Sequence, residues 1–172
     1  MTARDLACFV AALLVAAAVT VMPAAAQQMP TCSVRNLPNP PRVMVDCGGI
    51  LLEREAAAQL GFVVSERGGT QRTEMVLESG RFLIREHPAG DAQILTPHAI
   101  ASVRGTLFAV EVAVGSTAVF VVEGSVGVTH RGGGGGVTLG PGEGVDVAPG
   151  EPLVVRTWGA ARARALLERF GL

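Results

Sequence analysis

The side chains in this chain that could do chemistry do not fall at catalytic spacings. His87, His98 and His130 stand far apart, and none has a second histidine or a carboxylate at a metal-ligand spacing. A zinc site needs about four such ligands, and nucleophilic catalysis needs a nucleophile beside a base. Glu53 and Glu55 are close in sequence, but two acids on a strand are typical of a solvated face. The sequence therefore predicts no enzyme, no metal and no cofactor.

A run of five glycines, 132–136, has the composition of a phosphate-binding loop. Such a loop places its backbone N–H groups at the start of a helix. Here the next residues, 137–139, are Val-Thr-Leu, a short strand pattern. The run is therefore predicted to be a hairpin loop.

Two of the three cysteines, Cys32 and Cys47, follow the N-terminal apolar segment, and Cys8 lies within it. A disulfide between the first two would close a loop of about 15 residues, worth on the order of 3 kcal/mol. Two buried free thiols remain the alternative. Metal binding is disfavoured because two thiols without a nearby histidine supply only half of a tetrahedral site.

Arg104 lies within an otherwise apolar strand pattern, followed by Gly105 and Thr106. A guanidinium buried alone would leave five N–H donors unsatisfied, so we expect a carbonyl or carboxylate beside it. Glu123 is the expected partner and Glu111 the substitute. Gly105 is expected to mark a β-bulge or a close backbone approach. A structural role is favoured over ligand binding.

Residues 1–26 have the pattern of a cleaved signal peptide. An apolar run of 14 residues follows Arg4 and Asp5, and Ala24-Ala25-Ala26 forms a small-residue cleavage site before Gln27. An uncleaved anchor is the alternative, but a membrane span needs about 20 apolar residues. We expect a periplasmic protein with no span after cleavage. Only five residues precede the apolar run, so no cytoplasmic domain is expected.

Charge and composition exclude several partners. The net charge is −1, with a pI near 6.3, and aromatic residues make up 4% of the chain. Nucleic-acid binding normally requires a basic surface and often aromatic stacking, so no nucleic-acid partner is predicted. Sugar binding by aromatic stacking is disfavoured for the same reason.

The stretch 94–128 predicts β-hairpins, because apolar residues alternate with small or polar ones between glycines. One predicted face carries Phe108, Val110, Val112 and Val114, and the other carries Leu107, Ala109, Glu111 and Ala113. Turns are expected at Gly115-Ser116 and Gly124-Ser125. Residues 117–122 are apolar on both faces, as in a central strand covered on each side.

Shorter apolar runs predict further strands. Residues 43–47 and 50–53 are expected to pair across Gly48-Gly49, and 75–77 with 82–84 across Ser79-Gly80. The segment 36–42 is too rich in proline for a helix or a central strand. Strand is preferred for 50–54, and 55–60 is left open between strand and helix.

The C-terminal segment predicts one helix, from Thr157 to Phe170, with Thr157 as N-cap and Gly171 at the C-cap. Trp158, Ala165, Leu166 and Phe170 are predicted to share its apolar face. The helix is expected to dock on the sheet. The alternative is a partner-binding helix, with Trp158, Arg162, Leu166 and Phe170 as its contacts.

Several of these residues, taken together and in order, resemble the signature of the FecR domain. They are Thr96, Pro97, Val103, Arg104, Gly105, Thr106, Phe108, Thr117, Val119, Val121, Glu123, Gly124, Val126, Leu139, Gly142 and Glu143. The resemblance is strong from about Met75 to Pro152 and weaker over 43–64. The domain is named after periplasmic regulators of iron-citrate uptake, in which it receives a signal from an outer-membrane transporter and passes it to a cytoplasmic sigma factor.

The expected fold is all-β, an antiparallel sandwich or roll, which the resemblance makes jelly-roll in type, with one C-terminal helix. The expected divisions are a signal peptide (1–26), a Pro-rich segment (27–42), a β domain (43–155) and the helix (156–172). The resemblance implies a non-catalytic periplasmic regulator that binds a protein in the cell envelope. The alternative is a structural or glycan-binding envelope scaffold. The oligomeric state is left open.

Overall fold

A computed structural model describes residues 32–47, 49–67, 70–86 and 91–172 of the chain. The predicted signal peptide, and with it Cys8, lies outside the described residues, as does His87 in the loop 87–90. The side chain of Arg104 also lies outside them, although its backbone is described.

The described residues form eleven strands, one α-helix and one 3₁₀ turn. The strands are β1 (Cys32–Leu37), β2 (Arg42–Cys47), β3 (Ile50–Glu55), β4 (Gln59–Arg67), β5 (Thr70–Glu86), β6 (Asp91–Leu95), β7 (Ala99–Ala113), β8 (Ser116–His130), β9 (Gly136–Leu139), β10 (Glu143–Val147) and β11 (Arg156–Thr157). The helix α1 spans Ala160–Leu167, and the 3₁₀ turn spans Glu168–Phe170. The predicted all-β class with one C-terminal helix is confirmed.

Three long strands, β5, β7 and β8, carry the sheet from one layer into the other. Their halves near the β7–β8 turn join β1, β2, β3, β10 and β11 in one layer. Their other halves join β4, β6 and β9 in the second layer. The result is a single sheet that folds over on itself in a barrel-like closure.

The main core lies between the two layers. Its largest members include Met75 and Phe82 of β5, Ile94 of β6 and Phe108 of β7, all fully buried. Phe82 and Phe108 meet edge to face with their ring centroids 6.2 Å apart. Phe108, Val110 and Val112 of β7 face this core, as the period-two alternation of the sequence predicted.

A second, smaller apolar cluster covers the outer face of the first layer. The sheet contributes Leu83, Ala109, Ala118 and Phe120, and the C-terminal segment contributes Trp158, Leu166 and Phe170. Residues 117–121 of β8 are consequently buried on both faces, as their composition predicted.

Two predicted turns are wrong, because glycine there bends a continuous strand. β5 bends at Ser79-Gly80 but continues as one strand, with φ +87° at Gly80. Residues 75–77 therefore pair with β4, and residues 82–84 pair with β3 and β7. β8 likewise continues through Gly124-Ser125. A local sequence cannot distinguish these bends from turns, since both need a glycine with positive φ.

The other hairpins agree more closely with expectation. Cys47 pairs with Ile50 across the Gly-Gly turn, and Thr129 pairs with Gly136 across the glycine run. The turn between β7 and β8 is Val114-Gly115, one residue earlier than predicted. Residues 56–58 form a turn between β3 and β4, which decides the segment that the sequence left open.

Two expectations about the sheet need correction. β5 and β6 run parallel, so the strands are not all antiparallel. Cys32–Leu37, assigned from its sequence to a segment outside the β domain, is strand β1 and pairs along its length with β2.

The helix begins later than predicted. Gly159 is its N-cap, without a side-chain cap, and Thr157 pairs with Glu143 in β11 instead. The predicted end is confirmed, since Gly171 adopts the left-handed conformation after the 3₁₀ turn. Ala165 is exposed, so it does not share the buried face.

Candidate functional site

The motif residue Thr96 builds the turn that joins β6 to β7. Its backbone N–H donates to the carbonyl of Ala99 at 2.9 Å, and its Oγ1 accepts from the backbone N–H of Ala99 at 2.8 Å and of His98 at 3.3 Å. This is the local hydrogen bonding by which threonine stabilises turns. Pro97 lies exposed at the tip, so both motif residues shape a corner of the fold.

A second threonine connects this corner to the central strand. Thr117 of β8 is fully buried, and its Oγ1 lies 2.9 Å from Thr96 Oγ1 and 3.1 Å from Nδ1 of His98. The imidazole of His98 is half-buried and is held at one nitrogen by this chain of hydroxyls. Its orientation therefore depends on a strand that is distant in sequence.

The motif glycines Gly105 and Gly124 lie together where β7 and β8 bend. Their φ angles are +53° and +85°, and the ladder loses register between Arg104 and Leu107. A Cβ on Gly124 would come within 3.0 Å of the Gly105 carbonyl oxygen. Thr106 is buried beside them, and its hydroxyl has no hydrogen-bond partner among the described residues. The expected bulge is present at Gly105.

Gly142 and Glu143 close the turn before β10. The Gly142 N–H donates to the carbonyl of Val121 at 2.9 Å, and the Gly142 carbonyl accepts from the N–H of Trp158 at 3.0 Å. The Glu143 carboxylate accepts from the N–H of Gly140 at 2.7 Å. Gly142 thus links the C-terminal segment to the sheet. The motif residues Val103 and Phe108 are buried in the core, so they contribute to packing.

The side chain of Arg104 is outside the described residues, so its expected pairing with Glu123 or Glu111 stays a prediction, and only the surroundings of the two acids are described. Glu123 is exposed and lies opposite Leu107 in the ladder. Glu111 forms an ion pair with Arg81, which also contacts Glu55 at 3.1 Å. Burial lowers the pKa of Arg81, but hydrogen bonds and charge from Glu111 and Glu55 outweigh burial and hold that pKa above its ordinary value.

Glu53, expected to be solvated, is instead buried, with 1% of its surface exposed. Its two carboxylate oxygens accept from Arg42 Nε at 2.5 Å and Arg85 Nε at 2.6 Å. Arg85 also donates to the carbonyl of Phe170 at 3.0 Å. A buried carboxylate with two charged donors is thus part of the attachment of the C-terminal end to β3 and β5.

The helix residues expected to contact a partner are mostly used within the chain. Trp158, Leu166 and Phe170 are buried against the sheet, and the ring of Trp158 stacks on Phe120 with centroids 4.8 Å apart. Arg162 is exposed, but its guanidinium lies 3.6 Å over the Trp158 ring and forms an ion pair with Asp146. The docked arrangement is the one present, and these side chains are unavailable to a partner while the helix is docked.

The disulfide predicted between Cys32 and Cys47 is confirmed, and it ties β1 to β2. β1 is the last strand at its end of the described sheet, and five of its six side chains are exposed. Val34, in the middle of the strand, has 61% of its surface exposed. β1 therefore contributes little to the core and presents one backbone edge without a neighbouring strand among the described residues.

A cleft of about 660 Å³ lies where the β6–β7 turn, the start of the glycine loop and the turn after β10 meet. Its polar lining is His98, His130, Arg131 and Glu151. The Arg131 N–H donates to the carbonyl of His98 at 2.8 Å, so the two histidines expected to stand apart are neighbours. Sequence spacing could not predict this, because 32 positions separate them and the β7–β8 ladder brings them together.

Within the described ranges, no three His, Cys, Asp or Glu side chains converge closely enough to hold a metal ion. No helix in the described part of the chain has the length and apolar character needed to cross a bilayer.

Comparison with known proteins gives a family match over part of the chain. Residues 48–127 match the model of the family described as FecR protein, so the chain carries a FecR region, as its motifs indicated. No curated protein matches the chain.

A solved structure shares the fold. A crystal structure of a candidate anti-sigma factor from Parabacteroides distasonis aligns with a TM-score of 0.50 and 17% identity, over 81% of this chain and 61% of that one. A second crystal structure under the same description has a TM-score of 0.49, also at 17% identity and over the same shares of the two chains. The chain therefore spans about three fifths of the length of these relatives.

Proposed function

We propose that this chain is an exported, non-catalytic FecR-type module of the cell envelope that signals by binding an extended segment of a partner protein along the edge of β1. The observation that carries the proposal is the geometry of β1, a terminal strand of the described sheet with five exposed side chains, whose outer edge at Val34 and Asn36 pairs with no other described strand. Addition of a strand to such an edge is a common mode of peptide recognition. The FecR match over 48–127 supports a regulatory role.

The backbone groups that would receive the partner can be assigned from the register. The Cα atoms of Cys32 and Cys47 are 4.3 Å apart, the distance of a pair that does not exchange hydrogen bonds in an antiparallel ladder. Residues at such positions direct N–H and C=O away from the neighbouring strand. Since hydrogen-bonded and non-bonded pairs alternate, Val34 and Asn36 direct their own N–H and C=O groups to the outer edge of β1, where a partner strand would bind.

The cell compartment belongs to the same proposal. Disulfides persist in oxidising compartments, so the Cys32–Cys47 bond agrees with export to the periplasm. The disulfide also gives β1 a covalent attachment that an edge strand with few core contacts needs if a partner is to bind it. The anti-sigma description of the structural neighbour agrees with a signalling role.

The test is a photo-crosslinking experiment in cells that express the chain. A photoreactive residue at Val34 is expected to trap a protein partner, and one at Val154, which is also exposed, is the control position. Val34→Pro removes an outward N–H without removing a β1–β2 bond, and it should abolish the crosslinked product formed from a neighbouring position. Val34→Thr keeps the N–H and the β-branched shape, and should leave that product unchanged.

Two results would reject the proposal. One is that the Val34→Pro variant gives as much crosslinked product as the Val34→Thr variant. The other is retention of the exported chain on peptidoglycan with no protein partner, which would support a glycan-binding scaffold instead.

A further inference from the structure

The cleft beside the β6–β7 turn is lined by two histidines, one arginine and one acid. Arg131 is exposed in its wall and forms no ion pair with any described side chain, in contrast to Arg42, Arg81 and Arg85 in the body of the sheet. Glu151, the one acid in the lining, is not paired with it. The Arg131 guanidinium therefore has no acidic partner among the described side chains.

The imidazole of His98 is held at Nδ1. Thr96 Oγ1 accepts two backbone N–H groups and lies 3.1 Å from the Ala99 carbonyl and 2.9 Å from Thr117 Oγ1, either of which can accept its single proton. Thr117 Oγ1 lies 3.1 Å from Nδ1 of His98. Nε2 is therefore the ring nitrogen left to the cleft, and it is a donor when Thr117 donates to Nδ1, because neutral imidazole has one N–H.

We propose that this cleft binds a carboxylate group presented by a peptide-sized ligand, with Arg131 as the charged contact and His98 Nε2–H as the orienting donor. A carboxylate accepts several hydrogen bonds and pairs with a planar guanidinium. The volume of about 660 Å³ lies in the range of small-ligand sites. Pro97 and Pro149 give the cleft rigid apolar walls that a peptide backbone can pack against.

This site is separate from the strand edge proposed above, because no residue of β1 lines the cleft. The two proposals can therefore succeed or fail independently. A Val34→Pro variant should bind carboxylate probes in the cleft as the parent chain does, whereas Arg131→Gln should leave crosslinking at β1 intact.

The binding experiment uses three acetylated tetrapeptides and ¹H–¹⁵N NMR titration of the full chain. The first has a free C-terminus and no acidic side chain, the second is its amide, and the third is the amide with one glutamate. Shifts of Arg131 and Gly133 with the first, the third or both support the proposal and identify the source of the carboxylate. Equal binding of the neutral amide, or no binding by either carboxylate peptide at millimolar concentration, overturns it.

Two variants test the residues. Arg131→Gln is expected to weaken binding about tenfold, the size expected for loss of a charge-assisted hydrogen bond. Arg156→Gln, at another exposed arginine without an ion pair among the described residues, is the matched control and should bind normally.

The tautomer of His98 provides a readout apart from affinity. Long-range ¹H–¹⁵N spectra should show Nε2–H in the parent chain, and Thr117→Val should remove this preference. A parent chain with its proton on Nδ1 would contradict the assignment of His98 as a donor at Nε2. Arg131 is exposed, so its variant tests binding even if Thr117→Val fails to fold.

Discussion

The indole ring of Trp158 lies directly against the backbone of Gly144. A Cβ at Gly144 would lie 2.8 Å from the carbonyl oxygen of Val119 and closer still to the indole. On its other side the indole stacks on Phe120. The C-terminal segment can therefore dock only because residue 144 has no side chain.

Gly144→Ala should consequently displace Trp158 and destabilise the fold by about 2 kcal/mol, within the range for overpacked sites. Trp158 is the sole tryptophan, so its fluorescence reports the displacement directly during urea unfolding. Gly127→Ala is the control, because a Cβ there meets nothing nearer than the Ser102 oxygen at 3.9 Å. Equal stability of the two variants would show that the indole packs elsewhere.

Removing the buried charge of Glu53 should cost about 3 kcal/mol, because Glu53→Gln leaves Arg42 and Arg85 without their anionic partner. Chemical denaturation of the purified chain measures the loss. Glu78→Gln, at an exposed acid on β5, should change stability by less than about 0.5 kcal/mol. A loss at Glu53 as small as at Glu78 would mean that the Arg42–Glu53–Arg85 cluster makes no net contribution to the free energy of unfolding.

Phe170→Ala should destabilise by about 3 to 4 kcal/mol, since the ring is fully buried on the outer face of the sheet. Leu172→Ala, two residues later and 47% exposed, should have little effect. Hydrogen exchange gives the location of the change: protection should fall first in α1. Uniform loss of protection across β7 and β8 would argue against separate undocking of the helix.

Replacing Cys32 and Cys47 together by serine should lower stability by about 3 kcal/mol, because the unfolded chain loses a closed loop of about 15 residues. Exchange protection should disappear from β1 while the central strands keep theirs. Treatment of the parent chain with a reductant provides the comparison without substitution. Persistence of β1 protection after reduction would show that backbone pairing alone holds this strand.

Arg104→Ala should destabilise the fold, as expected of an arginine set in an apolar strand pattern. Thermal unfolding measures the effect, and Arg156→Ala, at an exposed arginine of β11, is a suitable control. An unchanged melting temperature together with loss of a partner interaction would instead assign Arg104 to binding.

Much of the architecture follows from local pattern. Alternation along 107–113 predicted the two faces of β7, and the doubly apolar run 117–122 predicted a strand covered on both sides. These succeed because burial of alternate side chains is a property of the strand itself. Gly80 and Gly124 show where local pattern fails, since a positive φ permits either a bend or a turn, and pairing with distant strands selects the bend.

The sequence by itself determined the all-β class, the FecR motifs, the cysteine pair and the burial of Leu166 and Phe170. The tertiary structure alone decided that Glu53 is buried between two arginines, that β1 is a terminal strand of the described sheet, and that His98 and His130 share a cleft. The physical reason is the distance along the chain over which each interaction acts. Side-chain alternation and turn chemistry act over a few residues, whereas burial, charge pairing and cleft formation depend on which distant strands the folded sheet brings together.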